Sequence, residues 1–311
     1  MTARHTDSLD RGTRPLVFGE ALFDTFSGGE EVLGGAPFNV AWHLRGFDLD
    51  PLLVSRVGCD PHGERVEAAM RDWGLDLAGL QHDPDHPTGR VTIVLEHGQP
   101  SFDILADCAY DHILATDALP AGVGADIALL YHGTLALRME ESRAALQALC
   151  RVLSRPAWMD INLRADGWQR ARVEALLRGA AWLKLNDAEL STMTGRTAGD
   201  EVELEQIVRG LGETYGIENL ILTLGERGAL VIAGGRSYRG LPIPVDEIVD
   251  TVGAGDAFSA VTLLGHLHGW SPDRTLRRAL EFSSHICSIR GAIPHDRATY
   301  REFLERWGAE T

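Results

Sequence analysis

Apolar positions along the chain fall into two alternating patterns. Short buried-type runs at Pro15 to Gly19, Leu52 to Val57, Ile127 to Tyr131, Trp158 to Ile161, Trp182 to Leu185 and Leu220 to Leu224 read as strands. Between them, apolar residues recur at helical spacing over Ala36 to Phe47, Gly63 to Trp73, Glu140 to Leu153, Arg170 to Leu177, Asp187 to Thr194 and Glu203 to Tyr215. Strand and helix alternating through most of the sequence predict an α/β fold, a doubly wound, mainly parallel sheet with helices on both faces. Ligands of such sheets sit beyond the carboxyl ends of the strands.

Two stretches interrupt the alternation. Residues 25–33 are short and rich in Gly and Glu, and residues 90–105 form two extended runs about a His97-Gly98-Gln99-Pro100 turn. Either they pair as a small β-sheet standing off the main one, or they are separate surface hairpins. With no internal repeat or linker, residues 1–311 read as a single domain, and the polar residues 1–14 as a disordered tail.

The most informative string is Asp250-Thr251-Val252-Gly253-Ala254-Gly255-Asp256-Ala257-Phe258. An extended run, Pro244 to Val249, leads into it, and an apolar helical run from Ala257 follows. Gly253, Ala254 and Gly255 let backbone approach a ligand, and the next helix adds unpaired N–H groups and a partial positive charge. That combination suits an anion, a phosphate above all. Asp256 within it is either a helix cap or a general base for a hydroxyl attacking phosphorus.

Composition narrows the classes. The formal charge of −16 over 311 residues argues against nucleic acid or anionic membrane as partners. Lys184 is the single lysine, and no G-x-x-x-x-G-K-[ST] string occurs. Phosphate charge is therefore expected to be met by arginine, backbone dipoles and metal. Cys59, Cys108, Cys150 and Cys287 show no paired spacing, so buried free thiols in a cytoplasmic protein are expected. No two histidines share a helix at ligand spacing; His62, His97 and His295 fall in turn-like segments, and no histidine is expected to hold metal.

Other candidates stand at strand ends or helix starts. Gly34-Gly35-Ala36-Pro37-Phe38-Asn39 opens a helix, with Asn39 offering a donor and an acceptor for sugar hydroxyls. Asp24 closes Gly19-Glu20-Ala21-Leu22-Phe23-Asp24 and is placed to accept from hydroxyls. Alternation puts Asp160, Asn162 and Arg164 on one face, where Arg164 either pairs with Asp160 or meets substrate. Asn186 and Glu189 have capping-box spacing, compatible with a magnesium role for Glu189. Thr223-Leu224-Gly225-Glu226-Arg227-Gly228 forms a turn before a return strand, Ala229 to Ala233.

Residues 250–260 together with Gly34 to Asn39 resemble the two signatures of the ribokinase-like (PfkB) sugar kinases, and the supporting motifs run from Leu16 to Pro294 in the family's order. The resemblance implies a ribokinase-like fold and ATP-dependent phosphorylation of a sugar hydroxyl by Asp256, with ATP and Mg²⁺. It implies a sugar site at Asp24, Gly34, Gly35, Asn39, Asp160 and Arg164. A lid over the sugar would be formed by residues 25–33 and 90–105, with Phe102 and Tyr110 on or beside it. It assigns Asn186, Thr223, Gly225 and Gly228 to the nucleotide, and Glu189 to magnesium through water. It places a monovalent cation, K⁺, at Asp250, Val252 and Gly291, and suggests a homodimer through the lid. The G-E-x-x-x-D, GGAPFN and DINLR strings look most like the fructokinase branch. The alternatives are 2-keto-3-deoxygluconate, whose carboxylate wants an arginine that Phe102 to Tyr110 lacks, a nucleoside, or a non-catalytic sugar or nucleotide binder.

Overall fold

Leu16, Val17 and Phe18 are wholly buried, because strand β1 (Arg14–Phe18) runs through the middle of a sheet covered on both sides. The structure, a computed structural model, describes residues 13–26, 28–96, 99–115, 123–163 and 168–308, the side chains of 93–102 and 123 excepted. Strands β2 (Leu22–Phe26) and β3 (Glu31–Gly34) precede helix α1 (Ala36–Gly46). Then come β4 (Leu52–Gly58), α2 (Pro61–Trp73), β5 (Leu80–Asp83), β6 (Gly89–Glu96), β7 (Gln99–Ile104) and β8 (Ile127–His132). Helix α3 (Glu140–Leu153), β9 (Ala157–Asp160), α4 (Arg170–Leu177), β10 (Trp182–Asn186), α5 (Asp187–Thr194) and α6 (Glu201–Tyr215) follow. The chain continues through β11 (Asn219–Thr223), β12 (Ala229–Ala233), β13 (Arg236–Gly240), α7 (Ala254–Leu267), α8 (Pro272–Cys287) and α9 (Arg297–Gly308).

Nine strands form the main sheet in the order β13-β12-β11-β10-β9-β8-β1-β4-β5, parallel from β11 to β5 and antiparallel at β12 and β13. Alternate residues point to opposite faces. Val17, Leu53 and Leu129 join Phe258 and Val261 of α7 and Phe282 of α8. Leu16, Leu52 and Leu130 join Leu146 and Leu149 of α3 on the other face. This is the doubly wound arrangement expected of the alternation.

The two interrupting stretches do pair. They make a second, four-stranded sheet of order β3-β2-β6-β7. Its two hairpins join through a parallel pairing of β2 with β6, from Leu22 opposite Gly89 to Phe26 opposite Ile93. Gly89 has to be glycine: a β-carbon there would lie 2.3 Å from the Tyr110 ring.

Several local expectations change. Pro244 to Val249 forms no strand; the Val249 and Asp250 N–H groups both donate to the Cys287 carbonyl, at 2.9 and 3.2 Å. Helix α7 begins at Ala254 because Gly253, at φ 77°, turns the chain into it. His62 lies inside α2. Cys59 and Cys150 are exposed, although all four thiols are free. Residues 1–12 lie outside the described residues.

Candidate active site

The carboxyl ends of β1, β9, β10 and β11 open into a cleft of about 350 Å³ roofed by the second sheet. Glu20, Asp160, Asn186 and Thr223 line it from the main sheet, and Asp24, Val32, Val91 and Ile104 from the second. Its volume suits a small organic ligand.

Asp24 and Asn39 meet across Gly34. A β-carbon on Gly34 would sit 3.4 Å from Asp24 Oδ2 and 3.8 Å from Asn39 Oδ1. Any side chain there would therefore stand between two oxygens that face the cleft. Gly35 adopts φ 105°, and a β-carbon would come within 2.6 Å of the Glu20 carbonyl. Asn39 is buried on α1, and its Oδ1 has no hydrogen-bond partner among the described residues. A buried amide oxygen left without a donor is costly, and a hydroxyl in the cleft would satisfy it.

The other end of Asn39 reaches the α7 turn: Nδ2 donates to Asp256 Oδ2 at 2.8 Å. Asp256 does not cap α7. Gly253 holds the cap position and Asp256 the third helical one, where its carboxylate lines the cleft. The first intrahelical bond runs from Ala257 N–H to Gly253 O at 2.8 Å. The Gly255 and Asp256 amides precede it and belong to the end that favours an anion. Ala254 is the first helical residue and is not among the cleft lining; Gly253 and Gly255 are. Gly253 is packed so closely that a β-carbon would fall 2.4 Å from that of Ala292.

Beneath this turn lies a group the sequence reading missed. Lys184 Nζ donates to Asp160 Oδ2 at 2.7 Å, and a β-carbon on Gly255 would be 3.5 Å from Nζ. The Tyr131 hydroxyl also donates to Asp160 Oδ2, at 3.1 Å, and Ser259 Oγ lies 3.0 Å from it. Burial alone would drive the proton off Lys184, but Asp160, with Glu189 and Asp256 nearby, more than offsets it, and the pKa lies above the ordinary lysine value. Besides the arginine, dipoles and metal expected to meet phosphate charge, the turn thus has a buried ammonium close to it. Asp160 pairs with this lysine. The alternation argument for its neighbours also fails, because β9 ends at Asp160 and Asn162 turns left-handed at φ 42°. Arg164 lies outside the described residues.

Glu189 and Asn186 form the capping box: Glu189 N–H donates to Asn186 Oδ1, and Asn186 N–H donates to Glu189 Oε2, both at 2.8 Å. Glu189 Oε1 accepts from Leu163 N–H at 2.8 Å. Burial and the charge of Asp160 push its carboxyl above the usual range. Asp250 ties two loops together, its Oδ1 accepting from Val252 N–H at 3.0 Å and its Oδ2 from Gly291 N–H at 3.2 Å. At the cleft mouth Arg290 pairs with Glu30 at 2.6 Å. The two cations of the lining, Lys184 and Arg290, are thus held by carboxylates, while Asp24, Glu189, Asp250 and Asp256 line the same space. A polyphosphate fits such an acidic cleft only together with a divalent cation.

Besides Ala254, three expected site residues are not brought to the cleft. Tyr110 is wholly buried beneath the second sheet, its hydroxyl accepting from Arg138 Nη2 at 3.0 Å. Gly225 and Gly228 shape the turn after β11 but do not line the cleft, although Thr223 does. The Phe102 side chain lies outside the described residues.

Known proteins share this architecture. The pfkB family carbohydrate kinase model matches residues 21–298. A fructokinase of Escherichia coli is 30% identical over 282 residues, 86% of this chain and 89% of its own. A fructokinase of Klebsiella pneumoniae is 31% identical, covering 83% and 85%. The structure of a Vibrio cholerae O395 fructokinase, with fructose, ADP and calcium ion bound, superposes with a TM-score of 0.79 at 25% identity, covering 95% of this chain and 100% of that one. The chain belongs to the pfkB family of carbohydrate kinases and is an ATP-dependent sugar kinase.

Proposed function

We propose that the enzyme transfers the γ-phosphoryl group of ATP to the primary hydroxyl of fructose, giving fructose 6-phosphate, with Asp256 as general base. The observation that carries this reading is the Asn39 bridge, one end on Asp256 Oδ2 at 2.8 Å and the other an unsatisfied oxygen beside Asp24. A sugar held by Asp24 and Asn39 Oδ1 has a hydroxyl next to the carboxylate that must take its proton. The fructokinase names of the relatives support the choice of sugar.

Asp256 accepts the hydroxyl proton as the oxygen attacks phosphorus. The Gly255 and Asp256 amides, the α7 dipole and the Lys184 ammonium stabilise the charge that spreads over the transferring oxygens. Glu189 would hold a magnesium ion through water beside the phosphates, and that ion would supply positive charge against theirs. Asn186 and Thr223 meet the nucleotide. A monovalent cation such as K⁺ would be held by the loops of Asp250, Val252 and Gly291, which Asp250 ties together. The second sheet closes over the sugar as a lid and excludes water.

The test is ADP release with magnesium-ATP against fructose, 2-keto-3-deoxygluconate, ribose, tagatose and adenosine. Fructose is expected to exceed 2-keto-3-deoxygluconate in kcat/KM by at least about tenfold, near 1.4 kcal/mol of differential transition-state binding. Equal or reversed preference would remove fructose from the reading.

A further inference from the structure

Away from the cleft, at the root of the second sheet, a second constellation has no part in sugar phosphorylation. His86 lies three residues before β6, Asp107 three residues after β7, and His112 at the end of the turn Ala109–His112. His112 Nε2 is 2.8 Å from Asp107 Oδ1, and His86 Nε2 is 3.9 Å from the same oxygen. One potential ligand atom from each residue lies within 4.8 Å of the others, the one such group among the described residues.

The remaining ring nitrogens are also occupied, and in a way that suits a metal. His86 Nδ1 is 3.0 Å from Asp83 Oδ2, and His112 Nδ1 meets Glu141 Oε2. On His86 the carboxylate makes Nδ1 the N–H donor and leaves Nε2 to ligate, the usual arrangement of metal-bound histidines; His112 has a carboxylate on both nitrogens, so its Nε2 carries a proton that a bound ion would replace. Asp83 is itself anchored by Arg56 Nε at 3.2 Å. Both imidazoles therefore direct Nε2 toward one exposed carboxylate, each backed by a second. Two nitrogens and one oxygen suit a borderline divalent ion such as zinc better than magnesium or calcium, and three protein ligands leave a fourth position for water. The rings stack, centroids 3.8 Å apart and planes 15° from parallel, so no ion close to both Nε2 atoms lies in both ring planes as they stand. Convergence on one ion requires a turn of the His86 ring, whose side chain is 28% exposed.

We propose that His86, Asp107 and His112 bind one divalent transition-metal ion of the zinc class, with Asp83 and Glu141 orienting the two imidazoles. Such an ion ties both roots of the β6–β7 hairpin to each other and, through Glu141, to α3. It acts on the seating of the second sheet and not on the chemistry in the cleft.

The experiment is calorimetric titration of the tag-free, chelator-stripped protein with zinc chloride, with cobalt(II) absorption as a second probe. The wild type is expected to take up one tight equivalent and to give the visible spectrum of nitrogen-ligated cobalt. His86→Gln, at a half-buried position, and Asp107→Asn, at an exposed one, should fold, as checked by circular dichroism, and lose that equivalent. Glu141→Gln should weaken it by about tenfold or more, and Asp256→Asn should keep it. A wild type that binds no zinc, or folded His86→Gln and Asp107→Asn variants that bind it as the wild type does, would overturn the proposal and leave a hydrogen-bonded histidine pair or a cleft site in its place.

Discussion

Asn39 Nδ2 and Asp256 Oδ2 are hydrogen-bonded at 2.8 Å although 217 positions separate them in the chain. One bond thus joins the helix proposed to offer a group to the sugar and the helix proposed to offer the base. Asn39→Asp would put two carboxyls where an amide and a carboxylate now meet. Like charges at that distance share a proton, so the pair would titrate at higher pH than Asp256 alone. The acidic limb of the kcat profile should move upward, with activity lost at pH 6 relative to pH 8. An unchanged limb would mean that Asp256 is not the group whose ionisation sets it.

Asp256→Asn separates catalysis from structure. Because Gly253 holds the cap position, the substitution removes no cap and the fold should persist. It cannot accept a proton, so kcat should fall by about 10²–10⁴-fold while KM for sugar moves little. Wild-type turnover in a folded Asn variant would end the assignment.

Lys184 should tolerate no substitute. Lys184→Met leaves Asp160 buried without its cation, at a cost of about 3–5 kcal/mol read from denaturant melts. Lys184→Arg keeps the charge but brings a larger, planar head against Gly255, where a single β-carbon would already stand 3.5 Å from Nζ. A displaced anion turn should lower kcat by roughly 10- to 100-fold. Full activity of the arginine variant in steady-state assays would show that any cation serves there.

Burial pushes His43, in the core beside Tyr300 and Phe282, down to about 3. In the unfolded chain it titrates near 6.5. Between those values the unfolded chain binds a proton that the native state refuses. Native stability contributed by neutral His43 is therefore fully present above about pH 6.5 and is lost at about 1.4 kcal/mol per unit as pH falls toward 3. Calorimetric Tm values from pH 4 to 8 should show that slope, and His43→Phe should flatten it. Parallel curves would place the acid sensitivity elsewhere.

The sheet was legible because strands buried on both faces read as apolar runs, and α5 because Asn186 and Glu189 announce its cap. The start of α7 was not, since Ala254 and Gly255 carry no helical signal and the turn depends on the φ of Gly253. Asp24, Asn39 and Asp256 could be read from their motifs. Lys184 was visible only as a lone charge within the buried run Trp182 to Leu185, in a chain whose other cations are all arginine. His86 and His112 escaped because the β6–β7 hairpin between them, not any helical spacing, closes their separation.

The solitary lysine also makes the protein its own unfolding gauge. A protease specific for lysine has one cleavable bond in the whole chain, after Lys184 in β10, an interior strand hydrogen-bonded to β9 on one side and β11 on the other. No frayed end or surface loop offers a competing cut. Cleavage by such an enzyme therefore counts only openings that break the centre of the sheet, and where reclosing outpaces cutting its rate follows the equilibrium population of that open state.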